Sequence, residues 1–296
     1  MTTGSAPTLA GLLSRPRLEI VPMRSVEDEL EFLPRAGAVT VTCSPHRGLD
    51  VTLDLAERIS AMGRQTVPHV AARTVRSRDH LEEALGRVRA AGIDELFVIG
   101  GDGHDPAGPY ASAQDLLVAI HESGSVPRRL GVGAYPDTHP RIDRERLMGA
   151  LVEKQPLATY MVTQLCFDAR TIEGWLDEVR RAGVTLPVWL GIPGVLKRRK
   201  LLEISLRVGV GDSAQYVTKH AGIVARLMRR GDYRPDALLA GLSSVVGQRR
   251  HGVAGFHLNT FNQVRSTEEW RREFLQVYGW REDEEPDDAE EPETAS

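Results

Sequence analysis

The chain has 296 residues, 41% of them hydrophobic, with two cysteines and a formal net charge of −4. That length buries one large core as readily as two small ones, and two thiols make neither a disulfide framework nor a metal cage by count. Nine of the 41 acidic residues fall in 282–296, so residues 1–281 set 32 acids against 37 bases and carry a net of +5. Such a body suits a small anionic ligand, but it lacks the aromatic-interleaved basic stripe of a nucleic-acid binder. No apolar run approaches the roughly 18 residues of a membrane helix, and residues 1–14 lack the parts of a secretory signal. A soluble, cytoplasmic protein is expected, with small molecules as its partners and neither nucleic acid nor membrane among them.

Residues 1–15 read as a flexible N-terminal segment, 16–280 as one domain and 281–296 as a disordered acidic tail. The first apolar run, 18–21, carries Glu19. Further runs follow at 38–43, 66–71, 96–100, 130–134, 160–166, 186–191 and 253–258. Helical patterns lie between most of them. Over 77–92, Leu81, Ala84, Leu85, Val88 and Ala91 recur at helical spacing and Gly92 supplies the stop; 50–63 and 168–183 read the same way, the last with Asp168 as N-cap and Gly183 just past the end. Eight runs alternating with helices are the pattern of a (β/α)8 TIM barrel, with a doubly wound open sheet as the rival. The interval 192–252 breaks the regularity and holds extra helices between strands 7 and 8, around 196–207, 214–230 and 235–246.

The tips of these runs carry Glu19, Thr42, His69, Asp102, Tyr135 and Gln164, which in a barrel would converge on one rim. A lone Glu between Leu18 and Ile20 would by default face solvent from an edge strand, but a closed barrel has no edge. Facing inward, partial burial would raise its pKa, and a carboxyl kept protonated near neutral pH is a general acid. Asp102 follows Gly100 and Gly101, which allow close backbone approach to a ligand; its plainer role is a turn or helix cap. Lys197 and Arg198 open a basic run after Gly194, where cations and free amides could hold phosphate or carboxylate, although a solvated helix face explains them equally well. The histidines are scattered without zinc spacing, so no metal site is expected. Cys43 and Cys166 read as small buried hydrophobes. Walker loops, nucleophile elbows and Cys/His pairs are missing, which removes support for phosphoryl transfer and covalent hydrolysis.

Taken in order, these tips resemble the methylenetetrahydrofolate reductases. Glu19-Ile20-Val21-Pro22-Met23-Arg24 is similar to that family's Glu-Phe-Phe-Pro-Pro-Arg, and Thr163-Gln164-Leu165-Cys166-Phe167-Asp168 to its Thr-Gln-Phe-Phe-Phe-Asp. Between them, 39–42, Pro68-His69, Gly101-Asp102 and 134–140 resemble its second to fifth strands. The resemblance implies a barrel that reduces 5,10-methylenetetrahydrofolate to 5-methyltetrahydrofolate. It implies Glu19 as the acid that protonates N10, Asp102 as the group holding the pterin edge, and Gln164, Thr42 and Tyr135 as substrate contacts. Cofactor contacts are expected at His69, Gly101, Lys197 and Arg198.

The departures from the family pattern are equally specific. Flavin-dependent members carry Arg-Gly-Asp where this chain has Gly100-Gly101-Asp102. Their flavin-contacting Asp, Asn and Lys positions fall here on Arg146, Gly149 and Glu153, with Lys154 one residue out of register. The chain therefore resembles most the flavin-independent branch known from actinobacteria, in which NADH, or NADPH, hands hydride directly to the folate and FAD is absent. The alternatives are an FAD-dependent reductase, a non-catalytic folate-binding barrel and a phosphate-substrate lyase or aldolase; the last needs a barrel lysine or metal cluster that the sequence does not offer.

Overall fold

A computed structural model describes residues 8–43, 47–101, 105–137, 139, 142–197 and 232–279. Eight parallel strands among them, β1 (Arg17–Ile20), β2 (Ala38–Val41), β3 (Thr66–Ala71), β4 (Glu95–Ile99), β5 (Arg129–Ala134), β6 (Tyr160–Thr163), β7 (Val188–Pro193) and β8 (Val253–Asn259), close into a barrel in chain order. The seam joins β1 to β8, with Glu19 opposite Asn259. The open-sheet rival is thereby excluded. Helices α2 (Gly48–Ala61), α3 (Arg78–Ala90), α4 (Ala113–Glu122), α5 (Arg144–Lys154), α6 (Ala169–Arg181), α7 (Asp236–Val246) and α8 (Val264–Val277) follow the strands. They bury apolar faces such as Leu81, Ala84, Leu85 and Val88 of α3 and Ile172, Trp175, Leu176 and Val179 of α6. Their ends obey the expected chemistry. The Asp168 carboxylate accepts from Thr171 N at the start of α6, and Gly92 and Gly183 take φ +70 and +84 just past their helices, where a Cβ would be strained.

One expectation changes. The segment expected to be flexible, 1–15, contains helix α1 (Leu9–Ser14), capped by Thr8 and anchored by a fully buried Leu13. Its short apolar pattern, Leu9, Leu12 and Leu13, is too brief to read as a helix alone and is fixed by packing. Of the extra helices between strands 7 and 8, α7 is present; those expected at 196–207 and 214–230 lie mostly outside the described residues, as does the acidic tail.

The barrel interior is layered. At the amino-terminal end, Arg17 donates to Glu95 Oε1 at 2.5 Å and to the Tyr160 hydroxyl at 3.1 Å, and its guanidinium lies 4.3 Å from both the Tyr160 and the Trp189 ring centroids. Space for those rings comes from Gly131 and Gly255, whose hypothetical Cβ atoms would stand 2.2 Å from Tyr160 and from Trp189. This floor is buried throughout: Arg17 is 2% exposed and Glu95 0%. Above it, toward the carboxy-terminal rim, the lining turns to histidine and carboxylate.

Candidate active site

Period-two alternation sets the inner face of each strand, so Arg17 and Glu19 on β1 point the same way, as do Val67 and His69 on β3 and Gly255, His257 and Asn259 on β8. Glu19 sits at the upper end of that face with its side chain 20% exposed, directly above buried neighbours. Its Oε2 lies 3.0 Å from His257 Nε2, and its Oε1 accepts from Asn259 Nδ2 at 2.6 Å. His69 lies across the barrel, its ring 4.7 Å from Phe97 and 6.3 Å from His257 between centroids. One donor atom each from Glu19, His69 and His257 falls within 4.8 Å of the others. Hydrogen bonding accounts for this closeness, since His257 Nε2 meets one carboxylate oxygen of Glu19 and Asn259 donates to the other.

The electrostatics reverse one expectation. Burial pushes the Glu19 carboxyl upward, but the hydrogen bond and charge of His257, the charge of His69 and the amide of Asn259 outweigh it and hold the group below the usual carboxylate range. The upward shift expected from burial fails because the strand supplying the compensating groups is the eighth, joined only when the barrel closes. His69 moves down to about 4, because burial disfavours its charged form more than Glu19 favours it.

The rim itself is clamped. Thr260 Oγ1 donates to Glu19 O at 2.6 Å, and Asn262 pairs with both backbone groups of Val21, accepting from N at 2.8 Å and donating to O at 2.9 Å. To do so Phe261 and Asn262 adopt φ +50 and +58, a left-handed turn that is unfavourable for a phenylalanine.

The other expected residues are placed as follows. Thr42 caps the end of β2, its N donating to Ile20 O and its O accepting from Thr52. Tyr135 stands edge-on to His139, with centroids 5.3 Å apart. Gln164 is exposed beyond β6 and its amide oxygen accepts from Leu165 N, which leaves the NH2 group and one lone pair of the oxygen to face a ligand. Gly101 takes φ +92 with a hypothetical Cβ 3.2 Å from Ala71. Lys197 is exposed and its backbone N donates to Gln263. His69 is buried beneath the rim, 4% exposed. Asp102 and Arg198 lie outside the described residues. Sequence reasoning missed His257, Asn259, Thr260 and Asn262. The signal was present: His257 and Asn259 are polar residues two apart at the tip of an apolar strand, the same pattern that drew attention to Glu19.

Comparison with known proteins bears directly on this arrangement. The family model described as methylenetetrahydrofolate reductase matches residues 28–272. Methylenetetrahydrofolate reductase 2 of Saccharomyces cerevisiae is 24% identical over 148 residues, 46% of this chain and 24% of that one. A protein of Caenorhabditis elegans named "Probable methylenetetrahydrofolate reductase (NADPH)" is 28% identical over 202 residues, 60% of this chain and 30% of its own. One of Oryza sativa subsp. japonica with the same name but NADH is 27% identical over 167 residues, 50% of this chain and 27% of its own. The alignments thus span less than a third of the length of these relatives. With a single model matching most of the closed barrel, this chain belongs to the methylenetetrahydrofolate reductase family.

Proposed function

We propose that the protein reduces 5,10-methylenetetrahydrofolate to 5-methyltetrahydrofolate, taking hydride directly from a reduced nicotinamide dinucleotide. The observation that carries this reading is a carboxylate at the mouth of a family barrel, backed by an imidazole at 3.0 Å and an amide at 2.6 Å. Binding alone needs no such proton-handling group. Glu19 delivers a proton to N10, the bond from N10 to the bridging carbon opens, and the N5 iminium so formed accepts hydride. Gln164, Thr42 and Tyr135 hold the folate, Asp102 pairs with the pterin edge, and His69, Gly101, Lys197 and Arg198 belong to the nicotinamide side. With both reactants in one mouth, proximity and orientation supply much of the acceleration.

The positions that the family resemblance gives to flavin contacts do not fit that cofactor. Arg146, Gly149 and Glu153 are all exposed on α5, so the site of the expected cation presents a carboxylate. Lys154 turns away, its Nζ donating to Gly133 O at 3.4 Å, and burial lowers its pKa to about 8. These features support a flavin-free route. Two measurements test it. The purified protein should show no flavin absorbance and should oxidise reduced nicotinamide with methylenetetrahydrofolate and no added flavin, giving intersecting initial-rate lines. A yellow protein or parallel, ping-pong lines would reject the direct route, and no turnover with either nicotinamide would reject the activity. Glu19→Gln should lower kcat on the order of 100-fold or more while folate affinity stays within about twofold.

A further inference from the structure

The closed, amino-terminal end of the barrel has a charge of its own. Three neighbouring strands, β8, β1 and β2, begin there side by side, and the segments leading into them carry Arg249, Arg15 and Arg35. All three side chains are exposed and have no ion pair among the described residues. Arg181, at the end of α6, is exposed and unpaired in the same sense. The end of α6 belongs to this group, because Arg180 donates to His251 O at 2.6 Å. Acids at this end are mostly engaged: Asp94 pairs with Arg128 at 2.7 Å and Asp177 with Arg250 at 3.1 Å. Glu122 and Glu153, exposed near the ends of α4 and α5, stand on the far side of the ring. An excess of unpaired cations therefore faces solvent opposite the rim.

The chain supplies an anion at the same place. Helix α8 runs back from the rim toward this end: Arg271 donates to the carbonyls of Leu13 and Ser14, just ahead of β1, and the helix continues to Val277. The segment 282–296 that follows holds nine acidic residues and no basic one. We propose that this segment docks in cis on the amino-terminal end of its own barrel, with Arg15, Arg35 and Arg249 as its contacts. Neighbouring strands stand about 4.8 Å apart, so the three arginines enter the barrel within about 15 Å of one another. A segment of this length reaches up to about 50 Å when extended, which covers that span easily. Each exposed ion pair is weak and screened by salt. Tethering holds the tail at an effective concentration of about the millimolar range, which offsets that weakness without tight packing. The +5 of residues 1–281 and the −9 of the tail are thereby brought together, and the rim is left open.

The test uses the full chain with Ala289→Cys carrying a nitroxide, Cys43 and Cys166 being buried and out of the reagent's reach. At about 0.01 M salt, the backbone amide signals of Arg15, Arg35 and Arg249 should lose intensity and regain it when the nitroxide is reduced; at about 1 M salt the loss should be absent. Amides at the rim, such as those of Thr42 and Leu165, should keep their intensity throughout. Two full-length variants separate charge from mere nearness. Replacing the nine acids by Asn and Gln should abolish the loss, and so should Arg15→Gln, Arg35→Gln and Arg249→Gln together, with the thermal midpoint checking the fold. The acid replacements touch none of the barrel's residues, so they decide the matter even where the arginine changes weaken the fold. Signals unaffected at low salt, a loss that persists at high salt or in the neutral-tail variant, or a loss centred on the rim would overturn the proposal. So would a loss that appears on mixing nitroxide-bearing protein with 15N-labelled protein that lacks the nitroxide, which would put the tail on a second copy.

Discussion

Glu19 and His69 face the same space under opposite demands: the carboxylate is held ionised by the hydrogen bonds of His257 and Asn259, whereas the imidazole is denied its charge by burial. Both make the fold sensitive to acid in the same direction. His69 titrates at about 4 in the folded chain against 6.5 in the unfolded one, so the unfolded chain binds the proton first as pH falls. Stability contributed by the neutral ring is full above 6.5 and declines toward 4, by about 3 kcal/mol at the lower end. Glu19, whose folded value is depressed, likewise stabilises above its unfolded value and loses that contribution on acidification. Urea denaturation of His69→Gln across this range should show a shallower loss of stability than the parent. An unchanged slope would mean that His69 is not neutral and buried as described.

At the scale of elements, the eighth strand and its turn organise the site. Asn262 holds the backbone of Val21 from both sides and Thr260 holds the carbonyl of Glu19, so β8 fixes the end of β1 where the carboxylate must stand. Asn262→Ala removes both Val21 bonds and leaves a φ of +58 to a residue that tolerates it poorly, with an expected loss of about 2–3 kcal/mol. Asn262→Gly relieves the φ cost alone. It should recover part of the loss in denaturation, while kcat is expected to fall in both variants, because the strand end remains unclamped. This element also shows why the site was half legible. Glu19 was conspicuous as a charge inside an apolar run, and Asp168 and Gly183 announced the ends of α6 through local capping chemistry. His257 and Asn259 matter because of what lies opposite them, and the pairing of Glu19 with Asn259 joins residues 240 apart. No local period encodes that contact, so the direction of the Glu19 shift was unreadable before the barrel closed.

For the whole molecule, the alternation of apolar runs and helices was enough to give eight strands in a barrel, since even the four-residue strands stood out as apolar runs between helical patterns and turns. The floor was not foreseen. The apolar runs at 18–21 and 96–100 stop short of Arg17 and Glu95, yet closure brings these two together at 2.5 Å and seats the guanidinium between two aromatic rings. Removing one partner strands a buried charge, so Glu95→Leu should destabilise by about 3–5 kcal/mol. The double change Arg17→Met with Glu95→Leu should recover most of that, and a thermodynamic cycle from the four proteins measures the coupling.

That same floor settles the direction of traffic. With guanidinium, carboxylate, phenol and indole packed across the amino-terminal end, the barrel is a cul-de-sac whose doorway is the rim. Whatever reaches the Glu19 carboxylate therefore comes by way of the rim, past the turn that holds Phe261 and Asn262 in the left-handed region.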